Sequence, residues 1–124
     1  MTEIDWKLVP AAIWRRYRQA LRPVEEPDPI RWDDLHGIGT QKEQLAHNTE
    51  RFLSGQPANH ALLWGSRGTG KSSLVKALLN RYRDQGLRVI EVDKEDLVHL
   101  PEIVDGIRKR PERFIIYCDD LSFG

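Results

Sequence analysis

The residues with the clearest chemical pattern lie between positions 65 and 72, where the chain reads Gly-Ser-Arg-Gly-Thr-Gly-Lys-Ser. This stretch has the spacing G-x-x-x-x-G-K-[S/T] at every fixed position. Glycine lets the backbone adopt φ > 0 and approach an anion closely, so consecutive amides can surround a phosphate. Lys71 would then contact the β- and γ-phosphates, and the Ser72 hydroxyl would bind Mg²⁺. The spacing therefore predicts a binding site for a nucleoside triphosphate.

The segments on either side of this loop have the patterns that a phosphate loop requires. His60–Trp64 is a short apolar run, which is typical of a buried strand. After the loop, apolar residues recur at helical spacing, so a helix should begin there and direct its positive end at the phosphates. The candidate nucleotide-binding residues of the loop are Gly65, Ser66, Arg67, Gly68, Thr69, Gly70, Lys71, Ser72 and Ser73.

A second candidate site lies about 45 residues beyond the loop, where an apolar run at 114–118 ends in Asp119 and Asp120. An acid at the end of such a strand is where phosphate-loop proteins hold Mg²⁺. Asp119 would orient the metal's water shell beside Ser72, so both are candidate metal residues. Asp120 would polarise the attacking water as a general base, and together with Lys71 it forms the candidate catalytic pair.

Further elements predict an α/β fold with a parallel sheet in three layers. Thr40 and Glu43 have capping-box spacing, so a helix should begin there and run to Leu53. A second strand is expected at 87–92, followed by Asp93, Glu95 and Asp96, which could act at a site but are better explained as loop or capping residues. A short helix is expected from Pro101 to Arg110.

The first 31 residues are expected to precede this domain, which would span residues 32–124. Aromatic and apolar residues at 6–21 predict an amphipathic helix with arginines among them. Such a segment could stack on bases and bind phosphates, but packing against the domain is the favoured interpretation. Residues 22–31 contain three prolines, which predict an extended linker or strap.

The composition of the chain excludes several classes of protein. The chain has 124 residues with 19 basic and 19 acidic side chains, so net charge favours neither nucleic acid nor an anionic membrane. Its start does not have the pattern of a secretory signal, and no apolar run is long enough to span a membrane. The single cysteine, Cys118, lies in an apolar run and is expected to be buried. A cytoplasmic protein is therefore expected.

The loop and the acidic strand, with their spacing, resemble the AAA+ branch of P-loop ATPases. Residues from about 27 to 123 look like a bacterial family of AAA+-like ATP-binding proteins, through segments 33–38, 63–78, 91–97 and 113–123. The resemblance implies that the loop from Leu35 to Ile38 packs against adenine. Gly37 and Ile38 are therefore candidate nucleotide contacts, and ATP is expected over GTP. Most AAA+ proteins have Asp-Glu where this chain has Asp119-Asp120.

The resemblance also implies that relatives continue beyond residue 124 with further strands and an arginine finger, so the chain looks like the N-terminal part of a longer protein. In the AAA+ strand order, 5-1-4-3-2, the fourth strand lies between the first and the third. The strands at 61–64 and 114–118 would then be separated by a gap, which predicts a marginally stable chain or a non-native sheet.

The sequence thus predicts an AAA+-type P-loop protein that binds ATP and Mg²⁺ and hydrolyses ATP in its complete form. Two alternatives stay open: a nucleotide-binding switch that does not hydrolyse ATP, and a P-loop kinase. The expected partners are ATP, an unknown protein or the chain's own later region, and a second copy in a homo-oligomer. Nucleic acid is a weaker expectation.

Overall fold

A computed structural model describes residues 4–35, 39–65 and 71–119 of the chain. These residues form a five-stranded sheet with the strand order β2-β1-β4-β5-β3. All neighbouring strands are parallel except β1 and β2, which form an antiparallel hairpin. The strands are β1 (Ala11–Arg15), β2 (Ala20–Val24), β3 (His60–Gly65), β4 (Leu87–Asp93) and β5 (Arg113–Asp119).

Helices cover both faces of the sheet. One face packs against α1 (Gly39–Leu53) and α2 (Lys71–Tyr82), through a core that includes Phe52, Leu78 and Tyr117. The other face packs against α3 (Leu100–Asp105) and the N-terminal segment, through a core that includes Trp6, Ile103 and Phe114. The expected three-layer α/β architecture is therefore confirmed. None of the helices in the described ranges is long and apolar enough to cross a bilayer.

The central strands formed where the sequence predicted them, because their apolar residues are buried on both faces. Leu87, Ile90 and Val92 on β4 are inaccessible to solvent, and so is Cys118 on β5. This burial pattern is typical of parallel strands, which are covered on both sides. The helix expected from Thr40 to Leu53 is present as α1, and Gly86 ends the turn after α2 with a φ of 98°. A positive φ at this place is typical of glycine beyond a helix.

The amphipathic helix predicted at residues 6–21 is wrong, because this segment contains β1 and the start of β2. Burial alternates along β1: Ala12 and Trp14 are buried, whereas Ala11 and Ile13 are only half-buried. The chain reverses at a turn of residues 16–19, in which Gln19 has a φ of 46°. β1 pairs with β4, about 75 residues later in the chain, so a contact distant in sequence decided its conformation.

The predicted gap between the strand before the phosphate loop and the strand before the two acids is also wrong. β3 pairs directly with β5 from His60↔Phe114 to Gly65↔Asp119. In this way, the amides and carbonyls of the two apolar strands form hydrogen bonds with each other. This pairing is favoured because leaving buried backbone groups unpaired costs free energy. The short helix expected to reach Arg110 ends earlier, at Asp105, and turns follow it. The division of the chain at residue 31 stays a prediction, although the hairpin before it belongs to this sheet.

Candidate functional site

The candidate site lies at the edge of the sheet where the parallel strands end. The register places Gly65, the last residue of β3, beside Asp119, the last residue of β5. Asp119 in turn lies beside Asp93 on β4. Because α2 begins at Lys71, residues 66–70 connect the end of β3 to the first turn of a helix of 12 residues. The strand before residues 66–70 and the helix after them, both of which the sequence predicted, are therefore present.

The structure describes the predicted site residues to different extents. Gly65 is buried and Ser73 is half-buried, in the first turn of α2. The backbones of Lys71 and Ser72 begin α2, and the backbone of Asp119 ends β5. The remaining predicted residues lie outside the described ranges: Gly37, Ile38, Ser66, Arg67, Gly68, Thr69, Gly70 and Asp120.

Tyr117 packs against the end of β3 at this site, and the sequence did not predict it as a site residue. Its side chain is buried on β5 and lies directly against the backbone of Gly65 on the neighbouring strand. A Cβ atom at position 65 would lie 2.6 Å from Cζ of Tyr117 and would overlap its hydroxyl oxygen. The ring of Tyr117 therefore disfavours any side chain at position 65, independently of a role of this glycine in binding an anion. An aromatic residue two positions before Asp119 was the signal in the sequence.

Lys42 holds the chain just before the predicted adenine loop. Its Nζ donates hydrogen bonds to the carbonyl oxygens of Trp32 at 2.8 Å and Leu35 at 3.1 Å. The same ammonium lies 5.3 Å from the centre of the Trp32 ring, and the guanidinium of Arg81 lies 5.5 Å from it. These contacts connect residues 32–35 to both α1 and α2. They fix the point from which the chain enters residues 36–38.

Two further contacts hold the elements around the site together. The Asn80 side chain on α2 donates to the carbonyls of Asp28 and Ile30, each at 2.8 Å, so the proline-rich segment lies against α2. The Tyr82 hydroxyl donates to the Glu50 carboxylate on α1 at 2.7 Å. Burial, with a further contribution from this bond, raises the pKa of Tyr82, so its hydroxyl stays a donor at neutral pH.

The acids after β4 have structural roles. The Asp93 carboxylate accepts a hydrogen bond from the Glu95 amide and caps the short 3₁₀ helix at Lys94–His99. Asp96 is buried and accepts from Arg16 at 2.8 Å. The hydrogen bond from Arg16 to Asp96, with the charge of that carboxylate, raises the pKa of the Arg16 guanidinium. The interpretation of these acids as capping and loop residues is therefore confirmed for Asp93.

Comparison with known proteins gives one family and several distant relatives. The family model described as "Protein of unknown function (DUF815)" matches residues 7–124. The chain is 34% identical over 116 residues to a 26S proteasome regulatory subunit 6B homolog of Schizosaccharomyces pombe, covering 82% of this chain and 30% of that protein. It is 36% identical over 69 residues to a replication factor C large subunit of Staphylothermus marinus, covering 55% of this chain and 16% of that protein.

A third relative is the proteasome-activating nucleotidase of Archaeoglobus fulgidus, which is 32% identical over 76 residues, or 54% of this chain and 19% of that protein. The chain therefore spans less than a third of the length of each of these relatives. No solved structure matches the chain significantly.

Proposed function

Because the chain belongs to the DUF815 family, an AAA+-like family, we propose that it binds ATP with Mg²⁺ at the carboxyl edge of β3 and β5, and that the complete protein hydrolyses ATP. The observation that carries this proposal is the register that sets Gly65 beside Asp119, with α2 beginning at Lys71. This arrangement brings the start of the phosphate-loop pattern, a helix N-terminus and an acid to one edge of the sheet. Open α/β sheets bind their ligands at this edge.

Each residue of the site has a distinct task in this proposal. The amides of residues 66–70 and the ammonium of Lys71 bind the phosphates and stabilise charge that develops on them. Ser72 and Asp119 hold Mg²⁺, which neutralises phosphate charge when bound. These two residues are suited to Mg²⁺ because a hydroxyl and a carboxylate are oxygen ligands of the kind that it prefers. Asp120 orients the attacking water and accepts its proton.

Adenine is expected to contact Gly37 and Ile38, next to the segment that Lys42 holds. The contacts of Lys42 and Arg81 with Trp32 support this, since they connect that segment to the helix that follows the phosphate loop. We also propose that the protein acts within an oligomer or with a protein partner. Two of the relatives are named as subunits of larger assemblies, which supports this part of the proposal.

Binding of labelled ATP, with and without Mg²⁺, tests the proposal directly. Lys71→Ala should weaken binding by about 10- to 100-fold, because it removes a hydrogen bond donated by a charged group. Lys76→Ala is the matched control, since Lys76 is an exposed lysine on the same helix and should leave affinity unchanged. Equal affinity of the protein and Lys71→Ala would refute the phosphate site.

Hydrolysis is tested separately, because the aspartate at position 120 favours a second candidate, a switch that binds ATP without cleaving it. An Asp side chain is one methylene shorter than the usual Glu and so reaches water less well. In an ATPase, Asp120→Asn should abolish turnover while ATP stays bound. In a switch, neither the protein nor Asp120→Asn should hydrolyse ATP. Only Asp120→Glu should gain ATPase activity.

A further inference from the structure

The turn between β1 and β2 concentrates positive charge in a protein whose net charge is zero. Residues 11–24 contain four arginines and no acidic residue. Arg15 ends β1, Arg16 and Arg18 lie in the turn, and Arg22 lies on β2 opposite Ile13. We call residues 15–22 the arginine turn. Its charge can act only locally, because 19 acidic side chains balance it over the chain.

One aromatic side chain at the arginine turn is exposed to solvent, whereas the neighbouring tryptophans are buried. Trp6 and Trp14 are almost completely buried in the core, although Trp14 also borders an open cleft beside the turn. Tyr17 is 98% exposed. It lies in a turn closed by backbone hydrogen bonds from Arg18 to Arg15 and from Gln19 to Arg16. A phenol ring held outward on an ordered turn exposes apolar area to water, and a flat ligand that stacks on it would cover that area.

Three of the four arginines are available to an anion. Arg16 is bound to Asp96 at 2.8 Å and to Glu95 at 3.1 Å. Within the described part of the chain, Arg15, Arg18 and Arg22 are exposed and form no ion pair. They line an open cleft of about 880 Å³ beside the ring of Tyr17.

The acids that share this cleft already have partners within the protein. Asp96 is bound to Arg16, and Asp93 accepts from the Glu95 amide. Glu91 also has an interaction within the protein. Four arginines line the cleft against three acids, Glu91, Asp93 and Asp96, so its formal net charge is +1, and planar guanidinium groups suit phosphate in particular.

The arginine turn lies at the same edge of the sheet as the candidate ATP site. β1 is parallel to β4, with Ile13 beside Glu91, so its end points in the same direction as the ends of β4, β5 and β3. β1 and β3 are three strand spacings apart in the sheet, a distance of about 14 Å. A ligand bound at the turn would therefore lie at the same edge of the sheet as Gly65 and Asp119, the last residues of β3 and β5.

We propose that the arginine turn binds single-stranded nucleic acid. Phosphates contact Arg15, Arg18 and Arg22, and one base stacks on Tyr17. An acidic peptide would satisfy the guanidinium groups but would leave the ring without a stacking partner, so the exposed ring favours nucleic acid. This surface is separate from the residues of the ATP site, and the proposal does not depend on ATP binding.

The test is fluorescence anisotropy of a labelled oligothymidylate of about 15 nucleotides, a length within the usual range of single-strand sites. The affinity should fall with salt, with a slope of log K against log salt near about −2, because about three phosphates are neutralised. Tyr17→Ala should weaken binding by about 5- to 150-fold, which is the usual contribution of one stacked base. Tyr17→Phe should retain the affinity, because it keeps the ring.

Charge is tested by replacing Arg15, Arg18 and Arg22 together with glutamine, which should abolish both binding and its salt dependence. Arg108→Gln is the matched control, since Arg108 is an exposed arginine outside the turn. All these side chains are exposed, so thermal unfolding should not change. No binding at low salt would overturn the proposal. It would also be overturned if Tyr17→Ala bound like the wild type, or if polyglutamate competed equally well.

Discussion

At the scale of single residues, the contact between Gly65 and Tyr117 links the sheet to the phosphate loop. The tyrosine ring fills the space that a side chain at position 65 would need. The segment after β3 thus starts from a point that is fixed by packing. Because closely packed interiors have low compressibility, a small increase in side-chain size at position 65 is expected to lower both the stability of the protein and its affinity for a nucleotide.

Gly65→Ala tests this contact. Adding a methyl group against Tyr117 should lower the free energy of unfolding by about 1–3 kcal/mol, the usual cost of overpacking. Gly39→Ala is the matched control, because nothing lies within 4 Å of a Cβ there, and it should change stability by less than about 0.5 kcal/mol. Chemical denaturation gives both values.

The double variant Gly65→Ala/Tyr117→Leu distinguishes a local collision from a general requirement for glycine. Leucine removes the ring, so Tyr117→Leu should cost less stability in the Gly65→Ala protein than in the wild type, which is a non-additive result. Additive losses would show that Tyr117 is not what excludes a side chain at position 65.

At the scale of elements, one buried arginine joins three segments of the chain. Arg88, near the start of β4, donates to the carbonyls of Trp6 at 2.6 Å, Arg83 at 2.9 Å and Leu87 at 2.7 Å. Burial lowers the pKa of this guanidinium, and the charge of Glu112 opposes that shift. The N-terminal segment and the turn that follows α2 are thereby connected to the same strand.

Arg88→Met should lower the free energy of unfolding by at least about 2 kcal/mol, because it leaves buried carbonyl oxygens without donors. Methionine keeps an unbranched apolar stem in place of the arginine's aliphatic part, so lost apolar packing contributes little. Arg108→Met is the control, since that arginine is exposed and its ion pair with Asp105 should contribute little. Thermal or urea unfolding measures both, and equal losses would contradict the role of Arg88.

At the scale of the whole molecule, the sheet that the described residues form has a buried middle and two outer strands. β5 lies between β4 and β3, and its residues from Phe114 to Cys118 are buried. β3 is an outer strand, with Leu62 and Trp64 about half exposed. β2 is the other outer strand and contains Pro23, which lacks an amide donor. Local opening is therefore expected at the edges before the centre.

Native-state hydrogen exchange should follow this order. Amides of β5 should exchange only through global unfolding. Amides of β4 should exchange almost as slowly. Amides of β2 should exchange fastest among the strands, because one of its sides has no partner in the described sheet and its residues are largely exposed. Exchange in β2 as slow as in β5 would contradict this strand order.

The sequence by itself determined the features that depend on neighbours along the chain. Apolar runs predicted β3, β4 and β5, and the glycine-rich stretch after β3 predicted that a helix would follow it, as α2 does. Gly86 ends the turn that follows α2. These features follow from backbone geometry and from burial over a few residues, which local patterns specify. The candidate residues at 65–73 and 119–120 were named for the same reason.

Only the tertiary structure decided how distant segments meet. The residues of β1 and β2 have a mixture of aromatic and basic side chains that suits a helix equally well. The pairing of β1 with β4, and of β2 with β1, made them strands. The direct pairing of β3 with β5, and the position of Tyr117 against Gly65, also depend on segments about 50 residues apart. The free energy of such contacts comes from burial and backbone pairing between strands, which no local pattern specifies.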